Sequence, residues 1–414
     1  MSNATRILLA LAAGLVLGII GASVAPKASL DIATVANPIG NLWLNGLRMT
    51  IVPLVVALLI TGIAQTAEAA RAGRIAALSL SWITVIMILS AVVGAVLTPL
   101  LLKIWPMHAA SADALKAALG ATGPAAPVPP FSEFLSAIVP TNPVNAAASD
   151  AILPLLIFTG VFAFALTRLP RGPRELLSGV FSAIADALII VIEWVLKLAP
   201  IGVFALAFVV GARSGTAAFG ALLHYIIIVS GVGLFVSLCA YPVAVIGGRL
   251  KLRDYARQVA PVQALAISTQ SSLACLPIML KKSEDLGVQE STAGLVLPMA
   301  VALMRATGPA MNLAVALYVA NWFGIQLGPA QYAVAILAAT LTSMGSVSLP
   351  GQVSFITAIA PICLAVGVPV EPLALLIAVE TLPDIMRTLG NVMMDVAVTA
   401  AVGARDGGEQ PDAA

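Results

Sequence analysis

PDIMRTLGNVMMD, residues 383–395, sets Asp384, Arg387, Thr388, Asn391 and Asp395 three and four residues apart, so a helix puts all five on one face. Its flanks, LALLIAV (373–379) and VAVTAAV (396–402), are lipid-compatible. Charges at such depth are costly unless they pair, face water or bind a ligand. An Asp–Arg pair that merely ties two helices together would satisfy them. The reading adopted here is half of a ligand site, whose other half lies elsewhere in the chain.

The composition fits that setting. Of 414 residues, 60% are hydrophobic and 10% charged, with a mean hydropathy of +1.04, whereas soluble domains carry roughly a quarter charged residues. The chain reads as an all-α polytopic membrane protein. A net charge of +2, with basic residues scattered through loops, gives no footprint for nucleic acid. Cys239, Cys275 and Cys363 are isolated in apolar surroundings and read as buried small hydrophobes. The run Ile7–Val24 reads as a first span because similar spans follow it.

At about 20 residues per crossing, six spans fall near 6–24, 42–64, 75–103, 134–168, 178–209 and 218–247, the fourth and fifth long enough to tilt or break. HAASADALKAALGATGPAAPVPP (108–130) reads as an exposed, mobile linker. The second half differs. VAPVQALAISTQSSLACLPIML (259–280) and AATLTSMGSVSLPGQVSFI (338–356) are apolar segments interrupted by Ser, Thr, Gly and Leu-Pro. Such centres do not stay helical at low cost, and broken backbone at membrane depth is tolerated only inside protein or beside a watery cavity. Each reads as a re-entrant hairpin followed by a full span, 290–322 and 371–402, an internal repeat whose two tips meet at the midplane.

Arg6, Arg71, Arg74, the Arg168–Arg174 and Arg249–Arg257 clusters, Lys281, Lys282 and Arg405 fall on one side of this arrangement, and Lys27, Lys103, Lys116 and Arg213 on the other. The positive-inside rule then makes both termini cytoplasmic, the first hairpin entering from the cytoplasm and the second from outside. Opposite entry makes the repeat inverted.

With these elements in order, the chain resembles the dicarboxylate/amino acid:cation symporter family, which includes the glutamate transporters. NLWLNGLRMTIVPLVVALLITGI (41–63) is similar to that family's second span, FLSAIVPTNPVNAAASDAILPLLIFTGVFAFAL (134–166) to its fourth and KLAPIGVFAL (197–206) to its fifth. The serine-rich hairpin, SMGSVSLPG (343–351) and PDIMRTLGNVMMD follow in the family's order. The resemblance implies eight transmembrane helices plus two re-entrant hairpins in a homotrimer of the inner (plasma) membrane. Residues 1–74 and 134–209 would form scaffold helices. A moving transport unit would comprise 75–103 and 218–402, with hairpin 1 at 259–282, span 7 at 290–322, hairpin 2 at 330–368 and span 8 at 371–402. Residues 104–133 would be an extracellular loop and 403–414 a disordered tail.

It also implies a substrate site. Asp384 would take an amino group, Arg387 a distal carboxylate, and Thr388 and Asn391 the amino and main carboxyl ends. Backbone around Ser271 and Ser272, and around Ser346, Val347, Ser348 and Gly351, would cradle the other carboxylate. The rigid guanidinium fork suits a second acid group. A plain dicarboxylate would leave Asp384 without a cation, which favours acidic amino acids over succinate-like acids. A C4-dicarboxylate symporter is the alternative. No cofactor is implied beyond a coupling ion, sodium or a proton.

The ion site departs from the family. Its Asn-Met-Asp-Gly-Thr segment falls on Met304-Arg305-Ala306-Thr307-Gly308, which removes an amide and a carboxylate and inserts a cation. A Thr-Ser pair of the third span falls on Leu89-Ser90, removing a hydroxyl. Hard cations need several oxygens. A residual sodium site at Asp395, helped by carbonyls near Ser343, Met344 and Ser346, is one reading. The other places Arg305 against Asp395 or the hairpin carbonyls as a built-in substitute for sodium, leaving transport sodium-independent or proton-coupled. Gln270 stands where many relatives have Arg, Glu380 reads as either a proton carrier or an interfacial acid, and His224 as an interfacial group. Glu193 and Lys197 are spaced to pair.

Three rivals remain. A channel would line its path with rings of carbonyls or like charges. A hydrolase would need a nucleophile beside a base, and two His residues with no G-x-S-x-G argue against an enzyme. A transporter-derived sensor fits poorly with a complete substrate stripe.

Overall fold

The computed structural model describes residues 3–70, 73–107, 139–149, 151–214, 217–345 and 351–405. The proposed 108–130 linker, the tail beyond Arg405, and Ser346, Val347 and Ser348 lie outside them. Every regular element among the described residues is helical. In order they are α1 (Asn3–Val24), α2 (Pro26–Ala70), α3 (Arg74–Ile104), α4 (Pro143–Ala148), α5 (Ile152–Thr167), α6 (Arg171–Lys197), α7 (Ala199–Ser214) and α8 (Ala217–Leu238). The short α9 (Ala240–Pro242) runs into a wider turn at Val243–Gly247. Then come α10 (Leu252–Thr269), α11 (Ser272–Asp285), α12 (Glu290–Leu303), α13 (Gly308–Phe323), α14 (Pro329–Gly345), α15 (Gly351–Ala365), α16 (Leu373–Leu376) and α17 (Thr381–Gly403).

Seven helical stretches among the described residues are long and apolar enough to cross a membrane. The second span lies inside the 45-residue α2, about 68 Å at 1.5 Å per residue and longer than the ~30 Å hydrocarbon layer it has to fit. Residues 26–41 are too polar to register as a span, yet they continue the same helix. The fifth span does break, at Leu198, just before Ala199-Pro200, because proline disfavours helix in the residue ahead of it and donates no hydrogen bond. Glu193 and Lys197 lie exposed and, among the described residues, form no ion pair.

Spans 7 and 8 are each interrupted, for one shared reason. Pro309 has no N–H for the carbonyl of Arg305, and Gly308 takes it at 2.8 Å. Likewise Pro383 has none for the carbonyl of Val379, and Leu382 takes it at 3.2 Å. In both places an i→i−3 bond replaces the i→i−4 ladder. The result is an unwound stretch at 304–307 and a tight turn at 377–380.

The hairpins form where expected, as α10 against α11 and α14 against α15. The first does not break at Leu276-Pro277, however, since α11 runs through Pro277. The chain reverses at Gln270, which takes a left-handed conformation (φ 50°), and at Ser271, whose Oγ accepts from Ala274 N at 3.3 Å as an N-cap.

Glycines let two pairs of helices touch backbone to backbone. Gly14 and Gly18 of α1 face α7: a Cβ on Gly18 would fall 2.4 Å from Phe208 O, and one on Gly211 2.5 Å from Leu15 O. This is small-xxx-small packing. Gly94 of α3 does the same for α13, where a Cβ would sit 2.5 Å from Ala310 O. One core joins α1–α3 and α5–α8 to α13 and α14–α16. A second joins α10–α12, the centre of α17 and the first half of α3. Gly18→Val is expected to force α1 from α7 and destabilise the protein by roughly 1–3 kcal/mol, read as a lower melting temperature in detergent; an unchanged melt would contradict this packing.

Candidate functional site

The polar face of α17 is a connected network. Arg387 is buried and uses all three guanidinium nitrogens: Nη2 donates to Glu380 Oε1 at 2.5 Å, Nη1 to Asn312 Oδ1 at 2.7 Å, and Nε lies 3.3 Å from Asp384 Oδ1. Glu380, 2% exposed, ends the 377–380 turn just before α17 and also accepts from the Tyr225 hydroxyl at 3.0 Å. It is therefore neither interfacial nor free. Asn312 extends the network to hairpin 2, its Nδ2 lying 3.4 Å from Ser343 Oγ.

The unwound stretch between α12 and α13 is pinned to the same face. Asn391 Oδ1 accepts from Thr307 N at 3.0 Å and from Thr307 Oγ1 at 2.8 Å, and Thr307 Oγ1 also lies 2.8 Å from the Arg387 carbonyl. Because a backbone N–H can only donate, the Asn391 amide has its oxygen toward Thr307, which leaves its NH₂ as donor for something else. This fit needs Gly390: a Cβ there would lie 2.4 Å from both Ser237 Oγ and Thr307 Cγ2. Thr388 is buried on the same helix.

Asp395, two turns further on, is fully buried, and neither carboxylate oxygen has a partner among the described residues. Arg305 lies within electrostatic reach of it, yet no ion pair within 4.0 Å joins them. The expected Arg305–Asp395 contact is thus absent. Met304 ends α12, buried, and neither it nor Ala306 brings a side-chain oxygen. Ser90 Oγ accepts from Ala310 N at 3.2 Å, at the start of α13. Met344 lines a largely apolar recess with Ile63, Leu80 and Phe164. Among the described residues no cluster of His, Cys, Asp and Glu is arranged to hold a metal.

Hairpin 1 meets α17 through its arm. The Tyr255 hydroxyl donates to Met393 O at 2.6 Å, and Gln263 Nε2 lies 3.2 Å from Met393 Sδ. Ser271 and Ser272 make no side-chain hydrogen bond to α17. Gly351 begins α15. His224, expected at an interface, is buried, with Nε2 2.9 Å from Trp105 O and Nδ1 3.0 Å from the Tyr318 hydroxyl. Sequence reasoning passed over Asn312, Thr307 and Tyr225. Asn312 did carry a signal, a lone amide in an apolar helix; the other two are ordinary until the helices meet.

The arrangement is that of a polytopic membrane protein with a buried charged cluster built between two interrupted helices. The chain belongs to the sodium:dicarboxylate symporter family, whose profile it matches over residues 4–405. It is 28% identical over 395 residues to the proton/glutamate-aspartate symporter of Escherichia coli (strain K12), covering 95% of this chain and 90% of that protein. To the C4-dicarboxylate transport protein of Laribacter hongkongensis (strain HLHK9) it is 27% identical over 380 residues, covering 90% and 84%. To the proton/sodium-glutamate symport protein of Bacillus caldotenax it is 26% identical over 390 residues, covering 92% and 90%. Thr307→Val keeps the shape of the unwound stretch but removes its hydroxyl, and is expected to cost roughly 1–3 kcal/mol, seen as a lower melting temperature; no loss would mean that the stretch is held by other contacts.

Proposed function

We propose that this protein is a secondary active transporter of acidic amino acids, aspartate or glutamate, working by alternating access and driven by protons. The observation that carries the reading is Arg387, a buried guanidinium held ready beside Asp384. The guanidinium suits a distal carboxylate, Asp384 an ammonium, and the free NH₂ of Asn391 a carboxylate or carbonyl oxygen. Glu380 holds the guanidinium in place and competes for it.

The coupling group is Asp395. A buried carboxylate without a partner needs neutralising, and a donor set of one carboxylate beside Met304 and Ala306 suits a proton better than a hard cation. An acidic amino acid brings one net negative charge, which a single proton on Asp395 offsets. Spans 1, 2, 4 and 5 would stay fixed in a homotrimer of the inner membrane, both termini cytoplasmic, while hairpins and spans 3 and 6–8 move together. A second reading, C4-dicarboxylate symport, draws support from the Arg387–Asp384 pair, because Asp384 already has a cation without a substrate amine.

Uptake of labelled aspartate, succinate and alanine into proteoliposomes tests this. Aspartate should accumulate under an inward proton gradient with sodium replaced by choline, and Asp395→Asn should abolish accumulation while aspartate still binds. Strict sodium dependence would overturn the coupling assignment, and accumulation of succinate without aspartate would overturn the substrate. Glu380→Gln, which keeps the shape and removes the competing charge, should tighten aspartate binding roughly 3- to 10-fold; weaker binding would show that Glu380 supports the site instead.

A further inference from the structure

We infer that Arg305 is a second substrate-binding cation, which receives the main carboxylate of the amino acid while Arg387 receives the distal one. The inference rests on the reading of the site as one for acidic amino acids.

Arg305 is carried on the unwound stretch between α12 and α13, in the part of the chain most tightly bound to the substrate face. Two residues on, Thr307 is hydrogen-bonded to Asn391 and to the Arg387 carbonyl. Three residues on, a Cβ at Gly308 would touch both Arg305 Cβ, at 3.1 Å, and Ser343 Oγ of hairpin 2, at 3.3 Å. The backbone of Arg305 thus sits where α13, hairpin 2 and α17 converge. The side chain is half-buried and, among the described residues, makes no hydrogen bond and no ion pair. An unpaired guanidinium at this depth marks a ligand site rather than a structural tie.

The start of α13 strengthens the case by what it withholds. A helix N-terminus ordinarily offers free N–H groups to an anion. Here Thr307 N is bonded to Asn391, Gly308 N to the Arg305 carbonyl, Ala310 N to Ser90 and Met311 N to the Thr307 carbonyl. Pro309 has no N–H at all. A carboxylate arriving here thus finds the N–H groups of the first turn of α13 taken, and the donors left at the break are the Arg305 side chain with the backbone N–H groups of Arg305 and Ala306.

Asp384 decides which carboxylate that is. Its carboxylate lies 3.3 Å from Arg387, whose carbonyl is bonded to Thr307, two residues from Arg305, and it is the partner assigned to the ammonium. In an α-amino acid the ammonium and the main carboxylate share one carbon, so an ammonium on Asp384 brings the main carboxylate to Arg305. Arg387 then meets the acid at the far end of the side chain. The break in span 7, which reads in the sequence as a damaged ion motif, supplies in this account a recognition residue.

Titration calorimetry on the purified full chain with aspartate, asparagine and the α-amide of aspartate separates the two carboxylates. Arg305→Met should weaken aspartate and asparagine roughly 30- to 100-fold. It should leave the α-amide, already weak for the wild-type protein, within about twofold. Arg305→Lys should recover part of the loss, which guards against a misfolded Met variant. Equal weakening of aspartate and the α-amide, or none, would overturn the inference. Unchanged aspartate affinity with a newly acquired sodium requirement would overturn it in favour of a sodium-substitute role at Asp395. Should the wild-type protein bind succinate and not aspartate, the amino-acid reading fails. The same comparison, succinate against its monoamide, then still reports whether Arg305 holds a carboxylate.

Discussion

A guanidinium buried in the membrane has to be held on every side, and Arg387 is. Glu380, Asp384 and Asn312 take its three nitrogens, and each arrives from a different structural device. Glu380 comes from the turn at 377–380, Asp384 from one turn earlier on α17, and Asn312 from α13. Removing the cation would leave two carboxylates facing one another out of water, a change worth several kcal/mol. Fold and site are for this reason hard to separate: the same contacts that keep Arg387 tolerable bring spans 7 and 8 together.

Two proline-induced interruptions make that convergence possible. An uninterrupted helix through 290–323 would bury Thr307 N in its own ladder and could not give it to Asn391. An uninterrupted last span would place Glu380 by helical spacing alone; the i→i−3 turn sets it against both Arg387 and Tyr225. Gly390 and Gly94 then bring the backbones close enough for hydrogen bonds between helices. The interruptions are costly in helix energy, and they position the side chains that a straight span would keep apart.

The all-helical class, the polar stripe and the two hairpins were legible in the sequence because each is a local departure from an apolar background. Pro309 lies beside the ion-motif positions already singled out, and the unwound stretch fell at 304–307. What was not legible depends on tertiary contact or on a single dihedral angle. The reversal of hairpin 1 beside Ser271 follows the serine-rich centre of the segment, whereas the left-handed φ of Gln270 has no local signal. Tyr225 looks like any span tyrosine until its hydroxyl meets Glu380. His224 reads as interfacial because the Trp105 carbonyl and Tyr318 that enclose it come from other helices. Charge alone sets Arg305 against Asp395 or the hairpin carbonyls, whereas no ion pair within 4.0 Å joins it to Asp395.

Arg387 has two separable roles, a fork for a carboxylate and a structural cation between Glu380 and Asp384. Arg387→Lys retains the charge that Glu380 and Asp384 require and removes the fork. Calorimetric titration of this variant with aspartate and with alanine measures the difference. The account predicts aspartate binding weakened by roughly 30-fold or more with alanine binding unchanged, and equal affinity for aspartate in the variant and the wild-type protein would contradict it.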